Sequence, residues 1–171
     1  MRRISETTKP TVSAVTSAPF VGPITLVCTA DGLIEVRWGA HELPQTGDAG
    51  AQAHLAAALD QIAEYSAGTR KDFTLPIDYS NMPDHRWEAV LRLCAAIPGG
   101  TTRTYGQLAA EMGIPDGARL VGGVMAGNPM PIVIPCHRVV SVDGSLRGYG
   151  GPGGIDTKAK LLVFEGARLV A

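Results

Sequence analysis

Cys136 and His137 stand side by side in the run Pro131-Ile132-Val133-Ile134-Pro135-Cys136-His137-Arg138-Val139-Val140. A thiol is the strongest side-chain nucleophile near neutral pH, yet at an ordinary pKa of about 8.5 only a few per cent of it is thiolate. A neighbouring imidazole can take the proton. The apolar run Ile132-Val133-Ile134 reads as a buried extended segment, and Pro131 and Pro135 forbid a helix and stiffen both ends. Adjacent residues of an extended segment face opposite ways, so a bridging water or a turn must connect Cys136 with His137. A third group has to orient the other imidazole nitrogen, and Glu165 is the candidate.

The elements around this run follow from local patterns. Thr104 is placed to cap a short helix, Tyr105 to Met112, stopped by Gly113 and Pro115. Asp116 starts a second, Gly117 to Ala126, stopped by Gly127, and two short helices with a tight connection read as helix-turn-helix. On the second helix Arg119, Gly122, Gly123 and Ala126 share one face, a guanidinium heading a stripe of almost bare backbone. Such a face can pack against another helix or lie flush against a duplex. A final helix runs from Lys158 to Glu165, capped by Asp156 or Thr157, after a Gly-rich mobile loop, Gly148 to Gly154.

Upstream, Val12 to Val15, Ile24 to Thr29 and Leu33 to Trp38 predict two or three antiparallel strands, with Asp31-Gly32 as a hairpin signal. Ala51 to Ala67 carries Leu55, Leu59 and Ile62 at helical spacing and covers one sheet face. Phe73 to Ile77 is expected to add a strand, and residues 1 to about 11 read as a loose terminus. The turn-rich stretch Asp78 to Pro83 is the linker, and Asp84 caps a helix reaching Ala96. The expected fold is α/β: an N-terminal domain over residues 1–80, then a mostly helical domain over residues 81–171.

Whole-chain quantities set limits. The 171 residues, 45% hydrophobic and 18% charged, describe an ordinary globular protein, and a formal net charge of -1 excludes wholesale nucleic-acid coating but not a local basic patch. Cys28, Cys94 and Cys136 have no paired-ligand spacing, which suggests a reducing compartment and gives no metal site. No stretch approaches the ~20 apolar residues of a membrane helix. A cytoplasmic protein with no cofactor and no membrane association is expected, and a monomer.

The block Pro135-Cys136-His137-Arg138-Val139-Val140 resembles the signature of the 6-O-alkylguanine-DNA alkyltransferases, also called methylated-DNA-protein-cysteine methyltransferases. Thr104-Tyr105-Gly106-Gln107-Leu108-Ala109, Ala118-Arg119-Leu120-Val121-Gly122-Gly123, Gly127-Asn128-Pro129-Met130-Pro131 and Leu161-Leu162-Val163-Phe164-Glu165-Gly166 agree with it in order. The resemblance is strong from Ile97 to Gly166 and weak before it. It implies a ribonuclease-H-like N-terminal domain and single-turnover transfer of an alkyl group from a flipped-out guanine of double-stranded DNA to Cys136. By the same resemblance Tyr105 touches the purine or its phosphate and donates a proton, and Arg119 fills the vacancy in the duplex. Gly122, Gly123, Ala126 and Arg138 face DNA. Met125, Pro131, Val139, Tyr149, Gly150 and Gly151 form the substrate pocket, and Asn128 is a structural hinge. Arg103, Arg147, Lys158 and Lys160 join Arg138 as candidates for phosphate contacts.

Two departures from the family pattern stand out. Pro83-Asp84-His85-Arg86-Trp87 lacks the usual Phe, so the following helix is expected in a different register. The loop Tyr149 to Ile155 is longer by roughly two residues, which bears on the alkyl groups accepted. Two other functions fit the same residues: a DNA-binding sensor for which alkylation is the signal, and a small-molecule alkyl scavenger with a Cys-His-Glu site.

Overall fold

The computed structural model describes residues 7–169. Three strands, β1 (Val12–Ala18), β2 (Gly22–Thr29) and β3 (Gly32–Trp38), form an antiparallel meander in the order β1-β2-β3. Helix α1 (Ala49–Ser66) lies across all three. Its buried residues Ala51, Leu55, Ala58, Ile62 and Tyr65 recur at three- and four-residue steps, one stripe of a helix. Asp48 caps it by accepting from the Ala51 N–H.

Edge strand β3 ties this sheet to the rest of the chain. Its Leu33 N–H donates to Pro76 O, its Leu33 O accepts from Asp78 N–H, and its Val36 N–H donates to Pro129 O, each within 2.9 Å. The strand expected over Phe73 to Ile77 is therefore only a bridge between Ile77 and Leu33. Pro76 brings a carbonyl but no N–H, so pairing cannot propagate through it. Gly32 is required here: its φ is +141° and a Cβ would stand 2.3 Å from Pro76 O.

The expected loose terminus is corrected for residues 7–11, while residues 1–6 lie outside the described residues. Lys9 Nζ bridges Asp31 at 2.7 Å and the buried Asp78 at 2.8 Å, and Thr11 O accepts from Thr46 and Gly47. Three hydrogen-bonded acceptors remove the freedom that composition alone suggests.

The second half begins with α2 (His85–Ala95), capped by Asp84 and burying Trp87, Val90, Leu91 and Cys94. Thr104 and Gln107 form a capping box at the start of α3 (Tyr105–Glu111), each side chain meeting the other's backbone N–H. Helix α4 (Ala118–Ala126) packs on α3 and α2, and its N-cap is Gly117 rather than Asp116. A two-residue parallel pair, β4 (Arg103–Thr104) with β5 (Val139–Val140), fastens the chain after the cysteine to the start of α3. The last helix, α5 (Gly154–Phe164), starts earlier than expected: Gly153 is its N-cap, and Asp156 lies in its first turn. A carboxylate suits that position because of the exposed N–H groups and the helix dipole.

Candidate active site and DNA-facing surface

The cysteine arm is not a simple strand. Asn128 follows α4 and uses its side chain as a clamp: Nδ2–H donates to Ile134 O at 2.8 Å, and Oδ1 accepts from Met130 N–H at 3.0 Å. Inside the clamped loop Ile132 has φ +72°, a left-handed conformation that a β-branched residue adopts only under constraint. The arm then closes into a 3-10 turn, Cys136–Arg138, instead of continuing extended. That turn is how neighbours in sequence come to serve one site.

His137 is fully buried, and its Nε2 lies 2.8 Å from Glu165 Oε1. Burial pushes the Glu165 carboxyl up, but hydrogen bonds from His137 and Arg138 outweigh it and hold the pKa at about 2. The carboxylate is ionised at neutral pH and can only accept, so Nε2 must carry the proton. Burial also lowers the His137 pKa, against the pull of Glu165, and the ring is neutral. Nδ1 is then a bare lone pair, and it has no hydrogen-bond partner among the described residues. An imidazole in this state is a base awaiting a proton.

Cys136 can supply one. Burial raises its pKa, opposed by the Asn128 side chain, Lys158 and nearby backbone N–H groups, so the resting group is a thiol. It is 8% exposed and opens into a cavity of about 1020 Å³ that Tyr105, Arg119, Gly122, Met125, Ala126, Tyr149 and Gly150 also line. Arg147, Gly148 of the Gly-rich loop and Ala118 complete the wall; Ala118 carries no signal in the sequence that would mark it for the site. The Tyr149 ring stands edge-on to His137 at 6.5 Å and to Trp38 of β3 at 6.2 Å. Trp38 thereby supports the pocket wall from the other domain.

Three expected pocket residues do not reach the cavity. Pro131 is buried in the bridge to Ile134, and Val139 is fully buried with its carbonyl taken by Lys158 Nζ at 2.7 Å. Gly151 lies beneath the rings of Tyr149 and Trp38, where a Cβ would come within 2.5 Å of Tyr149.

Arg138 requires the main correction. It is 1% exposed, and each of its five N–H groups has an acceptor inside the protein. Nε and Nη2 hold Glu165 at 2.8 and 3.0 Å, Nη1 reaches Asp72 Oδ1 and Ile97 O, and Nη2 reaches Lys71 O. Nothing remains for a phosphate. Lys158, likewise expected at DNA, is buried with its ammonium on Val139 O and Arg147 O, and burial lowers its pKa to about 8.

The outer face of α4 is as expected from its spacing. Arg119 and Ala126 are exposed and Gly122 and Gly123 partly so, while Val121, Val124 and Met125 turn inward. Arg119 has no hydrogen-bond or ion-pair partner among the described residues, and it borders both the cysteine cavity and a hollow shared with Gly123 and Trp87. Arg103, by contrast, is paired with Glu111 at 2.7 Å. Lys160 lines a separate apolar groove with Phe20, Val163 and Phe164. Among the described residues no group of three or more His, Cys, Asp or Glu could hold a metal, and no helix is long and apolar enough to cross a membrane.

Comparison with known proteins adds independent findings. The family model "6-O-methylguanine DNA methyltransferase, DNA binding domain" matches residues 85–167, and "6-O-methylguanine DNA methyltransferase, ribonuclease-like domain" matches residues 12–79. A methylated-DNA–protein-cysteine methyltransferase of Mycobacterium tuberculosis is 37% identical over 158 residues, covering 88% of this chain and 90% of that protein. The constitutive methylated-DNA–protein-cysteine methyltransferase of Bacillus subtilis is 40% identical over 114 residues, 66% of each chain. Among solved structures, Mycobacterium tuberculosis OGT in complex with DNA superposes with a TM-score of 0.75 at 35% identity, over 90% of this chain and 92% of that one.

Proposed function

The chain belongs to the 6-O-methylguanine DNA methyltransferase family, and we propose that it repairs double-stranded DNA by moving the alkyl group of a 6-O-alkylguanine onto Cys136. The observation that carries this reading is a thiol at the cavity, followed directly in the chain by a neutral imidazole whose Nε2 is held by an ionised carboxylate. The duplex lies against the face headed by Arg119. The lesion base swings into the cavity, and Arg119 takes up the space it leaves. Extrusion costs a few kcal/mol, less for a mispaired lesion, so damage itself favours selection.

The Cys136 thiol proton passes through a water to His137 Nδ1. The sulfur pair attacks the alkyl carbon in line with the bond to the guanine oxygen; a C–S bond forms, the C–O bond breaks, and its electrons leave with the purine. Tyr105, on the cavity wall, gives its phenol proton to the departing base, restoring guanine, and regains one from solvent as the imidazolium of His137 releases the thiol proton to water. Glu165 holds the imidazole and stabilises its cationic form as it appears. A thioether has no good leaving group, and among the described residues no second thiol lines the cavity, so each molecule reacts once.

In this reading residues 1–80 support the site and residues 81–171 contain it, and the protein acts as a cytoplasmic monomer without membrane association. The test is a titration of duplex DNA carrying a radiolabelled 6-O-methylguanine against the protein. Transfer of label that stops at one equivalent supports repair. Tight duplex binding without transfer indicates a sensor, and reaction with free alkyl donors but not duplex indicates a scavenger.

A further inference from the structure

We propose that Tyr65, on α1 of the N-terminal domain, is a positioning residue for alkyl transfer: its phenol O–H and His137 Nε2–H converge on the same carboxylate oxygen, Glu165 Oε1, each at 2.8 Å. The inference rests on the proposed roles of Cys136, His137 and Glu165. It adds that the base is aligned in part from a domain that touches neither thiol nor lesion.

Packing alone does not call for a tyrosine. The ring is fully buried, 5.4 Å from Phe73 and 5.6 Å from Phe164, and a phenylalanine would fill that space. Among the described residues the hydroxyl has one hydrogen-bond partner, Glu165, 100 residues away in the chain. Glu165 itself is the C-cap of α5, where the helix dipole disfavours a negative charge. Its ionised state therefore depends on donors. Arg138 supplies two N–H groups, His137 one and Tyr65 one. Tyr65 is the neutral, non-titrating member of the set, since burial and the neighbouring carboxylate push its pKa far above any assay range.

The sign of its effect follows from competition on Oε1. The groups facing the pair are Arg138 and, beyond it, Asp72; Lys158 of α5; and Cys136 and Tyr149 from the cavity side. Removing the phenol donor leaves these in place and concentrates more carboxylate charge on the imidazole. The imidazolium is then easier to form, so His137 becomes a neutral base only at higher pH. The carboxylate is also free to turn, which misaligns the ring.

The experiment measures single-turnover transfer from duplex DNA containing one 6-O-methylguanine between about pH 5 and pH 9. In Tyr65→Phe the acid limb is expected to move up by about half a unit to one unit, with a plateau lower by roughly threefold to tenfold. A fluorinated tyrosine at position 65, a stronger donor of nearly unchanged shape, is expected to move the limb the opposite way, and it decides the matter if Tyr65→Phe does not fold. A pH profile that superimposes on wild type, whatever happens to thermal stability, overturns the positioning role. Failure of the wild-type protein to transfer at all would instead overturn the underlying function.

Discussion

Replacing Arg138 by methionine separates a buried structural cation from a DNA contact. The substitution keeps length and much of the volume but removes five N–H groups and a charge from a site 1% exposed. Glu165 then keeps only the His137 and Tyr65 donors, while Ile97 O and Lys71 O lose theirs. Breaking a buried pair in this way costs about 3–5 kcal/mol, because the remaining carboxylate is uncompensated. The pH dependence follows from the carboxyl pKa, depressed from 4.5 to about 2. A depressed carboxyl pKa contributes stability that is complete above the unfolded value and lost as pH falls through the folded one; here this amounts to roughly 3 kcal/mol between about pH 4.5 and pH 2. In Arg138→Met the folded pKa rises toward the unfolded one, so this acid-labile increment shrinks and the loss is seen already at neutral pH. Urea unfolding followed by the fluorescence of Trp38 and Trp87, repeated from neutral to acid pH, reads both quantities. A loss below about 1 kcal/mol, with duplex affinity reduced and less sensitive to salt, would refute the reasoning and return Arg138 to the DNA surface.

Further outcomes are expected from the same geometry. Glu165→Gln lets an amide N–H donate to His137 Nε2, driving the ring proton to Nδ1 and abolishing the base; single-turnover transfer should fall by at least about tenfold. Arg119→Ala should slow transfer from duplex DNA by on the order of tenfold to a hundredfold, part of the cost of holding a base extruded, while reaction with the free modified base stays unchanged. A Cβ on Gly122 meets nothing within 4 Å, whereas one on Gly127 would stand 2.5 Å from the Trp87 ring. Gly122→Val should therefore melt like wild type yet bind duplex poorly, and Gly127→Ala should lose thermal stability; calorimetry and a binding titration distinguish them.

What could be read from the sequence was local. Asp84 and Thr104 reveal themselves as caps because the side chain and the N–H groups it serves lie within three residues. The stripe from Arg119 to Ala126 is likewise visible in its spacing; Glu165 is the exception, 28 residues from His137 yet singled out by the chemical need for a third group. The charges of Arg138 and Lys158 read as surface because nothing beside them in the sequence marks the acceptors that bury them. Asp72 and Lys71 lie 66 and 67 residues from Arg138, and Val139 lies 19 from Lys158. Tyr65 goes unremarked in the sequence because its partner, Glu165, lies 100 residues away, and a hydroxyl at the end of an apolar helical stripe is its one local signal. The left-handed Ile132 leaves no trace in composition, since Asn128 and the neighbouring turn impose it. Gly153 and Gly154 read as loop for a local reason: both take left-handed backbone, φ +78° and +56°, at the start of a helix, and glycine is the residue that allows it.

The most direct test of the central claim is peptide mapping by mass spectrometry after the protein is mixed with duplex DNA bearing a single 6-O-methylguanine. The account requires one methyl group on the peptide containing Cys136, no more than one per protein molecule, unmodified guanine in the recovered DNA, and no adduct in Cys136→Ala. A methyl group on Cys28 or Cys94, continued turnover beyond one equivalent, or intact lesion after saturating protein would contradict it.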